Sequence, residues 1–210
     1  MPWFVLAFAL FVGDAMAADL LAEAATRFQT VQTYRVTLHS HPAEGEPQVI
    51  RYAWRRPGWI RMDFIEPHHG AALIYDPGAH RVHLWPFGPD HLPSLNLAPD
   101  NRLILSPRGH RVDQSDVGAL LANLQELHAK GRLSEPADGE LAGRAVSVVE
   151  IEGGSGVSVL GVHRYRVWFA QESLFPLKVQ SFDVNNALME TVDMSDAALD
   201  VAFPERFFAP

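Results

Sequence analysis

The sequence predicts an α+β protein built on an open, incompletely closed antiparallel β-barrel, a strongly curved sheet with helices covering its concave apolar face. Three observations carry this. From Thr33 to Trp85, short runs alternate apolar and polar residues at period two and are separated by turn residues, the pattern of half-buried antiparallel strands. A second set of such runs extends from Ala145 to Ser195. Helical periodicity is clearest in two stretches, around Leu20–Phe28 and Val117–Leu127, where apolar residues recur at spacings of three and four.

At the start of the chain, Pro2 to Val12 is a continuous apolar run too short to span a bilayer, followed by the small residues Ala15-Met16-Ala17. Residues 1–17 are therefore expected to be a signal peptide cut after Ala17, and residues 18–210 a single exported domain. The leading segment carries no Lys or Arg, so an uncleaved anchor is the competing expectation. Asp19 is expected to cap a helix through Leu20, Leu21, Ala24, Ala25 and Phe28. Tyr34, Val36 and Leu38 then alternate with Arg35, Thr37 and His39, and Pro42–Pro47 turns the chain into Val49–Trp54.

The central stretch, WRRPGWIRMDFIEPHHGAALIYDPGAHRVHLWP from Trp54 to Pro86, reads as three strands joined by tight turns. Arg56-Pro57-Gly58 ends one strand because proline lacks a backbone donor. Trp59–Ile65 places Ile60, Met62 and Phe64 on one face and Trp59, Arg61 and Asp63 on the other. Asp76-Pro77-Gly78 links Ala71–Tyr75 to Arg81–Trp85. From Pro86 to Pro107 five prolines break the pattern, as in a long functional loop or lid. Ser115 is expected to cap the clearest helix, with Val117, Leu120, Leu121, Leu124 and Leu127 on one side and Gly131 as its stop. Amphipathicity fits either a core helix or a movable one over a cavity. Ala145–Ile151, His163–Ala170, Phe175–Val184 and Leu188–Ser195 complete a meander, for about nine or ten strands and two or three helices.

Composition narrows the function classes. A chain with 48% hydrophobic and 20% charged residues folds around a core and is not a disordered segment. A net charge of −8 disfavours nucleic acid and anionic membrane surfaces as partners. Cysteine is absent, so there is no disulfide and no cysteine to carry an acyl group. His39/His41, His68/His69 and His80/His83 have metal-like spacings but no clear carboxylate partner, and no metal or cofactor is expected. No nucleophile elbow, zinc-protease helix or phosphate loop occurs, so the chain is not expected to be an enzyme.

Ala71–Tyr75 and Val167–Ala170 are apolar on both faces, which requires cover on each. Helices inside a curved sheet either fill the concavity as an ordinary core or leave an apolar pocket suited to acyl chains. The strand residues expected to line such a pocket are Trp54, Ile60, Met62, Phe64, Leu73 and Tyr75. Leu84 and Phe169 from further strands, with Leu120 and Leu124 from the helix, complete that wall.

The strand ending in Trp-x-Arg-Pro, the aromatic strand followed by Pro67, the strand ending in Asp76 and the strand closing on Pro86 resemble the periplasmic lipoprotein carrier (LolA-like) family. The resemblance runs loosely from Ala18 to Phe208 and is specific only in Trp54–Pro86. It implies an open barrel that ferries acylated lipoproteins, or another lipid, through the periplasm toward the outer membrane as a monomer. It also implies an inner-membrane export machine and an outer-membrane acceptor as partners. Arg56, directly before the proline, matches the arginine that holds the helical lid shut in that family; a solvated turn arginine is the plain alternative. Arg55, its neighbour, points to the opposite face of the strand. The segment Phe87–Gly131 departs from the well-studied carriers, so a divergent relative that carries another lipid, or senses one as related envelope-stress regulators do, is the second reading.

Overall fold

The computed structural model describes residues 12–89, 91–106 and 108–210. Most of the expected signal peptide, residues 1–11, lies outside them. Helix α1 (Val12–Thr30) runs through Asp19, which therefore does not cap it. Strands β1 (Thr33–Pro42), β2 (Gln48–Arg55), β3 (Trp59–Glu66), β4 (Ala72–Asp76) and β5 (Arg81–Trp85) follow as the alternation requires. The proline-rich region is not all loop: β6 (Leu95–Leu97) pairs with β5. A 3-10 turn (Val112–Gln114) leads into α2 (Val117–Ala129). Then come β7 (Gly131–Leu133), β8 (Ala137–Leu141), β9 (Arg144–Gly153), β10 (Arg164–Ala170), β11 (Pro176–Phe182), β12 (Leu188–Asp193) and β13 (Ala198–Leu199).

All thirteen strands belong to one antiparallel sheet in the order β6-β5-β4-β3-β2-β1-β12-β11-β10-β9-β7. Two meanders thus meet at a seam, where His39 of β1 faces Asp193 of β12 and Pro42 faces Glu190. β13 extends that seam against Tyr34 and Arg35, and β8 pairs with the first half of β9. Among the described residues the end strands β6 and β7 are not paired to each other, so the barrel is open. No described helix is long and apolar enough to cross a membrane.

The cap of α2 is Asp116 and not Ser115: its carboxylate accepts from the Ala119 N–H at 2.7 Å. Ser115 instead donates to the Val112 carbonyl at 2.7 Å and closes the 3-10 turn. The helix buries Val117, Leu121, Leu124 and Leu127, spacings of four, three and three that keep one stripe on the sheet. At its end Gly131 is required by close approach, since a Cβ there would overlap the Glu152 carbonyl oxygen of β9. α1 packs Leu21 and Ala24 into the same core, and its Phe28 ring lies against Gly118 of α2.

Both faces of β4 are buried, as its composition demands. Leu73 and Tyr75 face the helices, while Ala72 and Ile74 turn to the convex side. There the C-terminal segment supplies an aromatic cover. Arg61, the register partner of Ile74, donates to the Phe207 carbonyl at 3.0 Å. The Arg61 and Arg55 guanidiniums lie over the Phe207 and Phe208 rings, each at 4.7 Å. Among the described residues no element covers the outer face of β10: Trp168 is half-buried beneath the Lys178 ammonium at 5.1 Å, so a lysine stem is its cover.

Candidate functional site

A cavity of about 490 Å³ opens between the concave face of the sheet, the N-terminal half of α2 and a strap formed by residues 101–106 and 108–111. That volume falls in the range of small-molecule sites. The strands contribute inward positions from both meanders: Leu38 and Ile50 with Met62, Phe64, Leu73 and Leu84 on one side, and Val179 and Val192 on the other. Val117 and Leu120 form the helical wall, and Leu103, Ile104 and Leu105 of the strap close the top. The cross-strand row Tyr52–Met62–Leu73–Leu84 explains why these residues meet, because antiparallel register places them side by side on one face.

The structure divides the ten expected lining residues. Met62, Phe64, Leu73, Leu84 and Leu120 stand on the cavity wall. Trp54, Ile60, Tyr75, Leu124 and Phe169 lie instead in the packed core, away from it. The concavity is thus filled at one end and open at the other. The helices account for this, since α1 ends at Thr30 beside Trp54 and packs on α2, leaving only the strap over the far half.

An aromatic clamp fixes the start of α2. Tyr34 stacks between Tyr52 and Trp54, with centroids 5.8 and 5.5 Å away. Each of the three polar tips then reaches the helix entrance. The Val117 N–H donates to the Tyr34 hydroxyl at 3.3 Å, the Tyr52 hydroxyl pairs with Ser115 Oγ at 3.4 Å, and Trp54 Nε1 donates to Asp116 Oδ2 at 3.0 Å. Burial raises the pKa of both tyrosines above the ordinary range, reinforced by Tyr52 at Tyr34 and by the Asp116 charge at Tyr52.

Arg56 sits at the closed end. Its Nε donates to the Val31 carbonyl at 3.1 Å and its Nη2 to the Phe28 carbonyl at 3.0 Å, satisfying acceptors left at the end of α1. Its guanidinium also lies 5.4 Å from the Trp54 ring. Arg55 points the other way, onto Trp59 and Phe208.

At the open end the strap is held by a second arginine. Arg108 Nη1 donates to Glu190 Oε2 at 3.0 Å and to Ser181 Oγ at 3.2 Å, and Ser40 Oγ donates to Glu190 Oε1 at 2.6 Å. The strap thereby crosses from the β5–β6 side of the sheet to β11, β12 and β1. The clamp tyrosines, Asp116, Arg108 and Glu190 escape a reading of the sequence, because register and loop reach assemble them from distant segments. Only the polar pair Ser115-Asp116 before an apolar run gives any local signal. The histidines remain dispersed: His39 and His41 are exposed on β1, and no cluster of three or more metal donors occurs among the described residues.

No family model matches the sequence, and no curated protein matches it. Solved structures do match. The MucA/MucB complex of Pseudomonas aeruginosa contains a chain 14% identical to this one, covering 93% of it with a TM-score of 0.57. This chain spans 61% of that protein's length. LprF from Mycobacterium bovis is 12% identical over 91% of this chain and 97% of its own, with a TM-score of 0.56. A LolA superfamily protein from Nitrosomonas europaea is 16% identical over 92% of this chain and 97% of its own, with a TM-score of 0.37, too low to argue from. The fold is shared with MucB and LprF. The open barrel with inner helices is also the fold that the resemblance to lipoprotein carriers implies.

Proposed function

We propose that this protein binds an acyl chain of a lipoprotein, or of another lipid, in the cavity beneath the strap and carries it through the periplasm toward the outer membrane. The observation that carries the reading is the cavity itself: apolar side chains from both meanders and α2 surround a space that the helices leave unfilled. Arg56 supports a lid role for α1. It bonds the helix end through two carbonyls, and α1 in turn packs on the helix that walls the cavity. Loading and delivery would involve an inner-membrane donor and an outer-membrane acceptor, with the exported chain moving between them. Titration of the purified chain with a fluorescent fatty acid is expected to give saturable binding that a lipopeptide displaces. Absence of binding at micromolar protein would remove the reading.

A second reading is favoured by one comparison, the likeness to a chain solved as part of a two-protein complex. In that reading the same cavity senses lipid and a protein partner responds. Stoichiometric recovery of a partner from envelope extracts, lost when lipid is added, would select it over the carrier.

A further inference from the structure

The cavity is not apolar throughout. Across the concave face of the second meander, Tyr165 of β10 is the register partner of Ser181 of β11, and Ser181 that of Glu190 of β12. All three line the cavity, and Arg108 reaches over the last two from the strap. Ser181 and Glu190 are thus occupied. The Tyr165 hydroxyl is not: the residue is 6% exposed, its ring belongs to the core, and its oxygen finds no hydrogen-bond partner among the described residues. That hydroxyl borders the open cavity, since His128 Nδ1 is the only fully buried side-chain polar atom without a partner among the described residues, so an acceptor on a guest in the cavity can reach it.

We infer that Tyr165, backed by Arg108, Ser181 and Glu190, forms the polar end of the cavity and takes the carbonyl oxygen at the head of an acyl chain, a carboxylate or an ester. The inference rests on the acyl-binding reading and adds the orientation of the guest, with its head beneath the strap and its tail along Met62, Leu73 and Leu84. Several features agree. Burial pushes the Tyr165 pKa up to about 12, so the hydroxyl keeps its proton and remains a donor at neutral pH. Arg108 spends both Nη1 protons on Ser181 and Glu190, while among the described residues its Nη2 meets only the Met189 sulfur at 3.8 Å, which leaves donor capacity on the guanidinium. The Arg108–Glu190 pair is locally neutral, which suits an ester carbonyl as well as a carboxylate.

The test is competition against N-phenyl-1-naphthylamine, a neutral apolar probe, by myristate, methyl myristate and tetradecane, on wild type and Tyr165→Phe. The variant keeps the ring, and unchanged probe affinity establishes that its cavity is intact. The expected result is a weakening of about 3- to 10-fold for the carbonyl-bearing competitors, the worth of one ordinary hydrogen bond, with tetradecane unchanged. Weakening confined to the acid or to the ester supports the inference and names the head as carboxylate or ester. Equal affinities in both proteins for all three competitors, as expected if only water meets the hydroxyl, would overturn it while leaving acyl binding standing. Failure of wild type to bind the probe or any competitor would remove the acyl-binding reading itself.

Discussion

Asp116 serves both ends of a local problem. One carboxylate oxygen satisfies an N–H that the first turn of α2 cannot satisfy itself, and the other accepts the indole N–H of Trp54. The neighbouring His110, on the strap, presents the opposite situation. Burial, then the Arg108 charge, holds its pKa below the ordinary histidine value, against a smaller upward pull from Glu190. The unfolded chain therefore takes up the proton first as pH falls, and stability present above about pH 6.5 is lost on descending toward the folded-state value. Between about pH 7.5 and about pH 5.5, thermal denaturation is expected to show a larger fall in Tm for wild type than for His110→Gln. Identical falls would mean that the imidazole stays solvated.

At the level of elements, the two arginines beside Pro57 separate. Arg56→Leu removes two charge-assisted hydrogen bonds to the end of α1, each worth about 1.5–3 kcal/mol before the usual shortfall from additivity. Hydrogen exchange in the last turn of α1 is expected to accelerate, and transfer of a bound lipid to an acceptor to slow. Arg55→Leu touches only Trp59 and Phe208 and is expected to leave both measurements near wild type. An equal defect in the two variants would contradict a latch at Arg56. The long strands were readable from period two because one face of each turns to the core or to the cavity and the other to solvent or a surface cover. β8 was not, since Ala137–Glu140 is exposed on both sides and is held by its ladder with β9 and one hydrogen bond from Gln171 to Asp138. β6 hides among prolines, and β7 and β13 are too short to show a period. Five of the ten expected lining residues stand on the cavity wall, and four of them, Met62, Phe64, Leu73 and Leu84, come from the same alternation as the strands. The division between filled and open ends was not legible, because it depends on where α1 stops against Trp54, and the polar end of the cavity joins residues more than seventy positions apart.

Over the whole molecule, the C-terminal segment makes the convex side of the first meander a second, smaller core. Phe208 is 1% exposed and is held by Arg55, while the backbone of Phe207 is held by Arg61. Phe208→Ala is expected to cost about 3–5 kcal/mol in urea denaturation, the usual range for a buried phenylalanine, and to promote association through the uncovered strands. A cost below about 1 kcal/mol would show the tail to be ornamental. The gap between β6 and β7 has a different reach. In a closed barrel the girth is fixed by strand number and stagger, so a wider bore demands a different fold. Here the end strands share no ladder among the described residues, and moving them apart breaks no backbone hydrogen bond. What resists is the Arg108–Glu190 pair and the fit of side chains, both of which yield without unfolding. Discrimination by tail length is therefore expected to be shallow and discrimination by head chemistry steep, so that one such protein serves a whole series of homologous guests.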